Sequence, residues 1–371
     1  MGMLARTRYL VLWAATLYWF VPRVGIPGGD WHFFADANDL LLGRHTRGFD
    51  APGGLHLFAN YPEMHMGPLS VLLAGLFRLA PGDGSAAAVT IMCALAPLLV
   101  LIVERAAVAS RGLRSALDHD LLPLATLVGG LVFVRAWFDV AGPIAHLDDV
   151  MVLTAAAVVV WAVATGKPWL AGAAVGLAIG GKSWAVVLLP FLGCFPRRAA
   201  LRAGGLAFAL GAAAWLPFLI ADRGTLAAMR AQQGNDLASG LRVFGVDSLA
   251  TPHWVRPVQV AAALVLATLA VVRGRWAAAL LLAVGARLAL DPATFTYYMP
   301  GLVLGGLVWD LVGSRRPMPL WAPAAYFALA TFPQWATFEA QGFARVAIAV
   351  AALGLLVRTG APRRAARSPA G

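Results

Sequence analysis

Long apolar runs alternate with short polar breaks along almost the whole of the 371-residue chain. Runs of this kind read as helices able to enter a bilayer. They fall at 8–22, 86–105, 120–138, 149–164, 168–180, 183–195, 201–221, 255–272, 276–290, 298–312, 319–333 and 341–357. Two shorter amphipathic stretches, 31–43 and 67–80, sit in the long break at 23–85. The pattern predicts an all-α, polytopic membrane protein with about 10–12 transmembrane helices, a broken-helix pair among them, and two interfacial helices in the first outer loop. The whole of 1–371 is expected to form one transmembrane domain.

Composition strengthens this reading. Sixty per cent of residues are hydrophobic and only 13% are charged, more apolar surface than a soluble chain of this length could hide. The net charge of +11 does not point to nucleic acid, because the basic residues are scattered in short runs such as RGLR, PRR, RGR and SRR between helices. Positive charge collects in cytoplasmic loops. With Arg6 and Arg8 in the cytoplasm, Arg111, Arg114, Lys167, Arg197, Arg198, Arg273, Arg275, Arg315, Arg316 and the basic tail 358–371 all fall inside. The acids, from Asp30, Asp36, Asp39 and Asp50 to Asp291 and Glu339, mostly fall outside, as does the long loop 222–254. The expected placement is multi-pass in the cell membrane with both termini cytoplasmic. The first run lacks a small-residue cleavage site and reads as a retained span. Cys93 and Cys194 lie in apolar runs, so neither a disulfide nor a metal framework is implied.

Parity shapes two further expectations. Counting 67–80 as a span would put every later basic loop outside, and as a helix it would reach only about 21 Å against a hydrocarbon core of roughly 30 Å. It is therefore read as lying on, or dipping into, the outer face. Lys167 and Arg197 both belong inside, yet one apolar run joins them, broken at Gly180-Gly181-Lys182-Ser183. Two short helices meeting at an outward turn satisfy both constraints, as broken helices do where they line a cavity. That turn carries Lys182 into the membrane's outer half, where an ammonium is costly and usually functional.

Polar residues cluster at three outer positions. In GGDWHFFADANDLLLGRH (28–45), His32, Asp36 and Asp39 share one helical face, opposite Phe33, Phe34, Ala37, Leu40 and Leu41, with Gly43 as the stop. This is the pattern of an interfacial helix with its apolar side in lipid. Asp30 stands at its N-terminal boundary and is either a cap or a reactive carboxylate. In NYPEMHMGPLSVLL (60–73), Glu63 and His65 precede Gly67-Pro68, an ordinary helix start. In AHLDDVMVL (145–153), His146, Asp148 and Asp149 form either a solvated loop with a helix cap or a site. Tyr297 and Tyr298, in DPATFTYYMP, are outer residues that suit an interfacial aromatic belt. The chain carries no HExxH, Cys pair, phosphate-binding glycine loop or GxSxG.

The succession of a first span, an Asp opening a surface helix, Tyr61-Pro62 before a second surface helix, an outer His/Asp loop and the broken hairpin ending in Leu188-Leu189-Pro190 resembles the GT-C superfamily of integral-membrane glycosyltransferases. It is most similar to the polyprenyl-phosphate-mannose-dependent mannosyltransferases of actinobacteria. The likeness covers most of 8–195. Where that family has Tyr-Pro-Pro, this chain has Tyr61-Pro62-Glu63 and inserts Met64-His65-Met66.

The resemblance implies a sugar carried on a polyprenyl phosphate, entering from the outer leaflet, and a lipid or cell-envelope glycan acceptor. It implies Asp30 as the base. It implies Lys182 and then His65 as the cations awaiting the donor phosphate. Glu63, His146, Asp148, Asp149, Tyr297 and Tyr298 are then expected around the sugar and acceptor. Asp30, Glu63 and Asp148 could gather a divalent cation, though no spacing demands one. A secondary transporter or lipid flippase, and a non-catalytic GT-C-like scaffold, are the alternative readings.

Overall fold

Each apolar run folds as helix, with boundaries set by proline, glycine and charge. The computed structural model of the chain describes residues 2–23, 26, 28–46, 49, 53–119, 121–230, 233–314 and 316–357. Asp50, Arg315 and the tail 358–371, which entered the topology argument, lie outside the described residues. Among the described residues, six helices are long and apolar enough to cross a membrane: Ser85–Arg111, Leu122–Ala141, Leu147–Ala164, Arg197–Ala221, Val255–Val272 and Phe338–Val357. Gly2–Phe20 precedes them and gives way to a 3₁₀ turn, Val21–Arg23, with Pro22 at its centre. Shorter apolar helices fill the gaps, among them Pro168–Gly181 and Trp276–Ala289. The described residues hold no named strand, only the isolated bridge between Thr46 and Phe49. The protein is all-α.

The broken hairpin is built asymmetrically. Its first arm, Pro168–Gly181, is α-helical over 14 residues. Its second, Ser183–Cys194, is a 3₁₀-helix of 12 residues containing Pro190. A 3₁₀-helix rises about 2.0 Å per residue against 1.5 Å, so this arm spans roughly 24 Å and outreaches the α-helical arm despite having fewer residues. Val255–Val272 packs along it, and Leu147–Ala164 packs along Pro168–Gly181.

The first loop is tied to the turn of this hairpin. Gly67 N–H donates to Gly181 O at 2.7 Å, and Ser70 Oγ donates to Gly67 O at 2.6 Å. A Cβ at position 67 would overlap the Gly180 carbonyl, so only glycine permits the approach. The helix that follows, Pro68–Phe77, buries Ser70, Val71 and Ala74 and leaves Leu72 and Leu76 exposed.

The surface helix Trp31–Leu41 departs from the sequence-based face. Its buried residues are Trp31, Phe34, Ala37, Asn38 and Leu40, packed against Pro68–Phe77 instead of lipid. Trp31 Nε1 donates to Asp83 O at 3.2 Å, Asn38 Nδ2 to Val71 O at 3.3 Å, and Arg78 pairs with Asp39 at 2.7 Å. These polar ties rotate the helix about its axis and turn Phe33 outward, 43% exposed. At the opposite end of the bundle, Arg8 and Glu104 form a buried bidentate pair at 2.7 and 2.8 Å, fixing the first helix to Ser85–Arg111.

Candidate active site

The segment Gly28-Gly29-Asp30 does not simply lead into a helix. Gly29 N–H donates to Pro143 O and Asp30 N–H to Ile144 O, both at 2.8 Å, so the strip lies flat against the loop 143–145. A Cβ at Gly28 would overlap the Ala145 Cβ. Ala145 holds φ +55°, the left-handed region that costs a non-glycine residue roughly 1–2 kcal/mol. Strain of this kind persists where the surroundings over-determine the backbone. Its result is to aim the next side chain, His146, at Asp30. The glycines and the strained alanine are thus the local reason the carboxylate and imidazole meet.

His146 Nδ1 stands 2.8 Å from Asp30 Oδ2. Asp30 makes no side-chain hydrogen bond to cap its helix, so the capping alternative fails. A carboxylate facing Nδ1 fixes the proton on that nitrogen. The other edge of the ring meets Lys182 Nζ at 3.3 Å, Asp148 Oδ1 at 3.2 Å and Asp149 Oδ2 at 3.3 Å. A neutral ring offers the Nε2 lone pair to Lys182, and a protonated ring donates to an aspartate. Both states keep Nδ1–H on Asp30.

Lys182 is 8% exposed and fully engaged. Its ammonium reaches Asp149 Oδ2 at 2.8 Å, Asp148 Oδ2 at 3.0 Å and the imidazole. Three N–H donors meet three acceptors. This conflicts with a free ammonium waiting for a phosphate, the role that the sequence resemblance implied. Asp148 and Asp149 open the helix Leu147–Ala164, where the macrodipole favours negative charge. The ligand atoms of His146, Asp148 and Asp149 lie within 4.8 Å of one another, a spacing that suits a divalent ion. Lys182 already supplies the cation to both carboxylates, so an ion would have to displace an ammonium. The donor set fits the lysine better than a metal.

These residues line a cavity of about 720 Å³, together with Glu63, His65, Tyr297 and Tyr298. Asp149 lies behind that wall, buried against Lys182. Every site residue singled out from sequence is therefore gathered at one end of the bundle. Besides Lys182, one expected role does not fit, and one open alternative is decided. His65 is pushed down to about 4, chiefly by burial and then by the charges of Lys182 and Arg256. It is neutral at physiological pH, accepts a hydrogen bond from Gln233 Nε2 at 2.8 Å, and cannot serve as a fixed cation. Tyr297 stacks on His146 with ring centroids 4.1 Å apart, and Phe295 stacks on Tyr297 at 5.0 Å. Tyr298 packs beneath the Arg287 guanidinium, 4.5 Å from its carbon. The tyrosines are cavity residues and not a lipid-facing belt.

Sequence reasoning missed Arg287, Arg256, Trp184 and Phe295, which line the same cavity. Arg287 carried a usable signal, since it is the lone charge in AAALLLAVGARLAL and intramembrane charge marks function by default. Trp184 and Phe295 carried none, because an aromatic in an apolar segment looks the same on a lipid face as on a cavity wall.

Replacing Gly28 by alanine is expected to leave the bundle folded and to undock 28–30 from the loop 143–145, because the added methyl would overlap Ala145 and must push Asp30 away from His146. Hydrogen exchange at the Gly29 and Asp30 amides, beside an unchanged unfolding temperature, checks it; parent-like protection of both amides would show that the methyl is accommodated without undocking.

No protein-family model matches this chain, and neither the curated proteins nor the solved structures yield a match.

Proposed function

We propose that this membrane protein is an inverting glycosyltransferase. It moves a sugar, with mannose the first to test, from a polyprenyl-phosphate donor to a hydroxyl of a lipid or cell-envelope glycan. One observation carries the reading: the Asp30 carboxylate makes no capping bond to its helix and instead meets His146 on the wall of a cavity large enough for a glycosyl group. The sequence resemblance to GT-C enzymes points the same way.

The chemistry follows from the geometry. Asp30 accepts the proton of the acceptor hydroxyl as its oxygen bonds to the anomeric carbon. The bond from that carbon to the phosphate oxygen breaks, and polyprenyl phosphate leaves as the anion. Attack and departure on opposite faces invert the centre in one step. The Nδ1–H of His146 orients the carboxylate and keeps its second oxygen free. His146, Tyr297 and Phe295 stack face to face, so the exposed Phe295 ring and the edges of the stack are what a sugar would meet. Lys182 holds Asp148 and Asp149 in place behind them.

The test is sugar transfer by the purified protein from polyprenyl-phosphate mannose, glucose or arabinose, with product configuration read by NMR. No product with any donor, or retained configuration, would refute the proposal. The buried Lys182–Asp148–Asp149 cluster at a broken hairpin also suits a transporter or flippase; lipid or solute flux in proteoliposomes without glycosyl transfer would favour that reading.

The proposed outer position of the cavity has its own check. In a variant with Cys93 and Cys194 replaced by serine, a cysteine at Pro81 should react with an impermeant thiol reagent on intact cells, and one at Arg114 only after permeabilisation. The reverse pattern places the cavity on the cytoplasmic side.

A further inference from the structure

One ion pair stands apart from the cavity, on the flank of the bundle. Arg135 and Asp139 lie one turn apart on the helix Leu122–Ala141, with Arg135 Nη1 2.6 Å from Asp139 Oδ1. That helix is long and apolar enough to cross a membrane. Arg135 stands about 9 Å and Asp139 about 3 Å before its end at Ala141. Charges on such a helix are costly and mark function by default.

The helix itself gains little from the pair. Its C-terminal end favours cations, yet its last turn holds Asp139 and no base. An (i, i+4) pair is better with the acid on the N-terminal side, and here the base comes first. The pair is also only partly engaged. Arg135 keeps 32% of its side chain open and Asp139 20%. Trp19, near the end of the first helix, covers one face of the guanidinium at 4.7 Å and packs on Phe138. Tyr326 stands within electrostatic reach of both charges. Among the described residues, neither Arg135 nor Asp139 has a second ion pair. Their hydrogen bond uses Nη1 and Oδ1, which leaves Nε, Nη2 and Oδ2 to meet a ligand.

The surroundings suit a lipid. Hydrogen-bonded to Asp139, the guanidinium reaches toward the helix end, as a snorkelling arginine does. Val128, Leu131 and Val132 continue the same face away from that end and are partly open. The first helix and the segment Trp321–Tyr326 both pack on Leu122–Ala141 and flank this track. A bare anion would satisfy Arg135 but sit against the Asp139 carboxylate. A headgroup carrying both signs satisfies the two together.

We infer that Arg135 and Asp139 form a surface site for a membrane phospholipid with a primary-amine headgroup. The lipid phosphate accepts from the open guanidinium N–H groups, the ammonium donates to Asp139 Oδ2, and an acyl chain runs along Val128, Leu131 and Val132. The site stands independently of the glycosyltransferase reading.

The experiment is native mass spectrometry of the full-length, delipidated protein titrated with phosphatidylethanolamine, phosphatidylcholine or phosphatidylglycerol. Phosphatidylethanolamine should bind about tenfold or more tightly than phosphatidylcholine, whose quaternary ammonium has no N–H for Asp139; that is the worth of one charge-assisted hydrogen bond. Asp139→Asn should abolish this preference, and Arg135→Gln should weaken both lipids by a similar factor. The double variant Arg135→Gln with Asp139→Asn orphans no charge. It should keep the parent's unfolding temperature in lipid-free detergent and lose the preference. Equal binding of the two zwitterionic lipids by the parent, or parental affinity and preference in the double variant, overturns the site. Phosphatidylglycerol binding more tightly than phosphatidylethanolamine, unchanged by Asp139→Asn, overturns the amine assignment. Dimers that Arg135→Gln dissolves, without any lipid preference, overturn it in favour of a second copy of the chain on this face.

Discussion

Asp30→Asn is expected to lower sugar transfer by about 10²–10⁴, the usual worth of a general base. The asparagine amide keeps the size of the carboxylate, and its oxygen can still accept the His146 Nδ1–H now 2.8 Å from Asp30. No side-chain cap is lost, since the Asp30 carboxylate makes no capping bond. Binding of the lipid donor and the unfolding temperature should therefore match the parent. Initial rates in proteoliposomes, beside donor binding, separate these effects. Parent-like transfer by Asp30→Asn removes Asp30 from the chemistry. A loss of donor binding instead would make it a ligand-holding residue.

Lys182→Met should act on stability before it acts on kinetics. Asp148 is 1% exposed, Asp149 3%, and Lys182 is the ammonium within 3.0 Å of both. Removing one partner of a buried ion pair leaves uncompensated charge and costs about 3–5 kcal/mol. A neutral side chain should therefore lower the unfolding temperature markedly and reduce the yield of folded protein. Lys182→Met combined with Asp149→Asn should regain part of that loss, because one orphaned carboxylate is gone. Thermal unfolding of the parent, the two single variants and the double variant in one detergent measures the coupling. Additive effects would show that the pairing contributes nothing, and a Lys182→Met form as stable as the parent would free the lysine for a role in binding.

The helical class and the outline of the site were legible in the sequence for a simple reason. Burying an apolar run in a bilayer needs only composition and length, and a charge retained in such a run must have a purpose. Lys182 stood out on those grounds, and the glycines at 180 and 181 marked the break that carries it; His146, Asp148 and Asp149 stood out only as a polar cluster on an outer loop. Contact was not legible. Asp30 and His146 lie 116 residues apart, and their meeting depends on a glycine strip docked on a strained loop. Local sequence fixes neither the docking nor its partner.

The same limit explains the roles that changed. Sequence shows that Lys182 is charged, but only tertiary structure shows that its three donors are already taken. The outward turn of Phe33 was likewise set by the polar ties of Trp31 and Asn38 to the next helix, which outweigh the helix's own amphipathic pattern. Arg256 and Arg287 come from separate helices, and only the fold brings both to the wall of one cavity. Secondary structure and burial follow from local free energies of transfer, so the chain carries them residue by residue. Charge balance at a site is a sum over distant segments, and only the folded chain evaluates it.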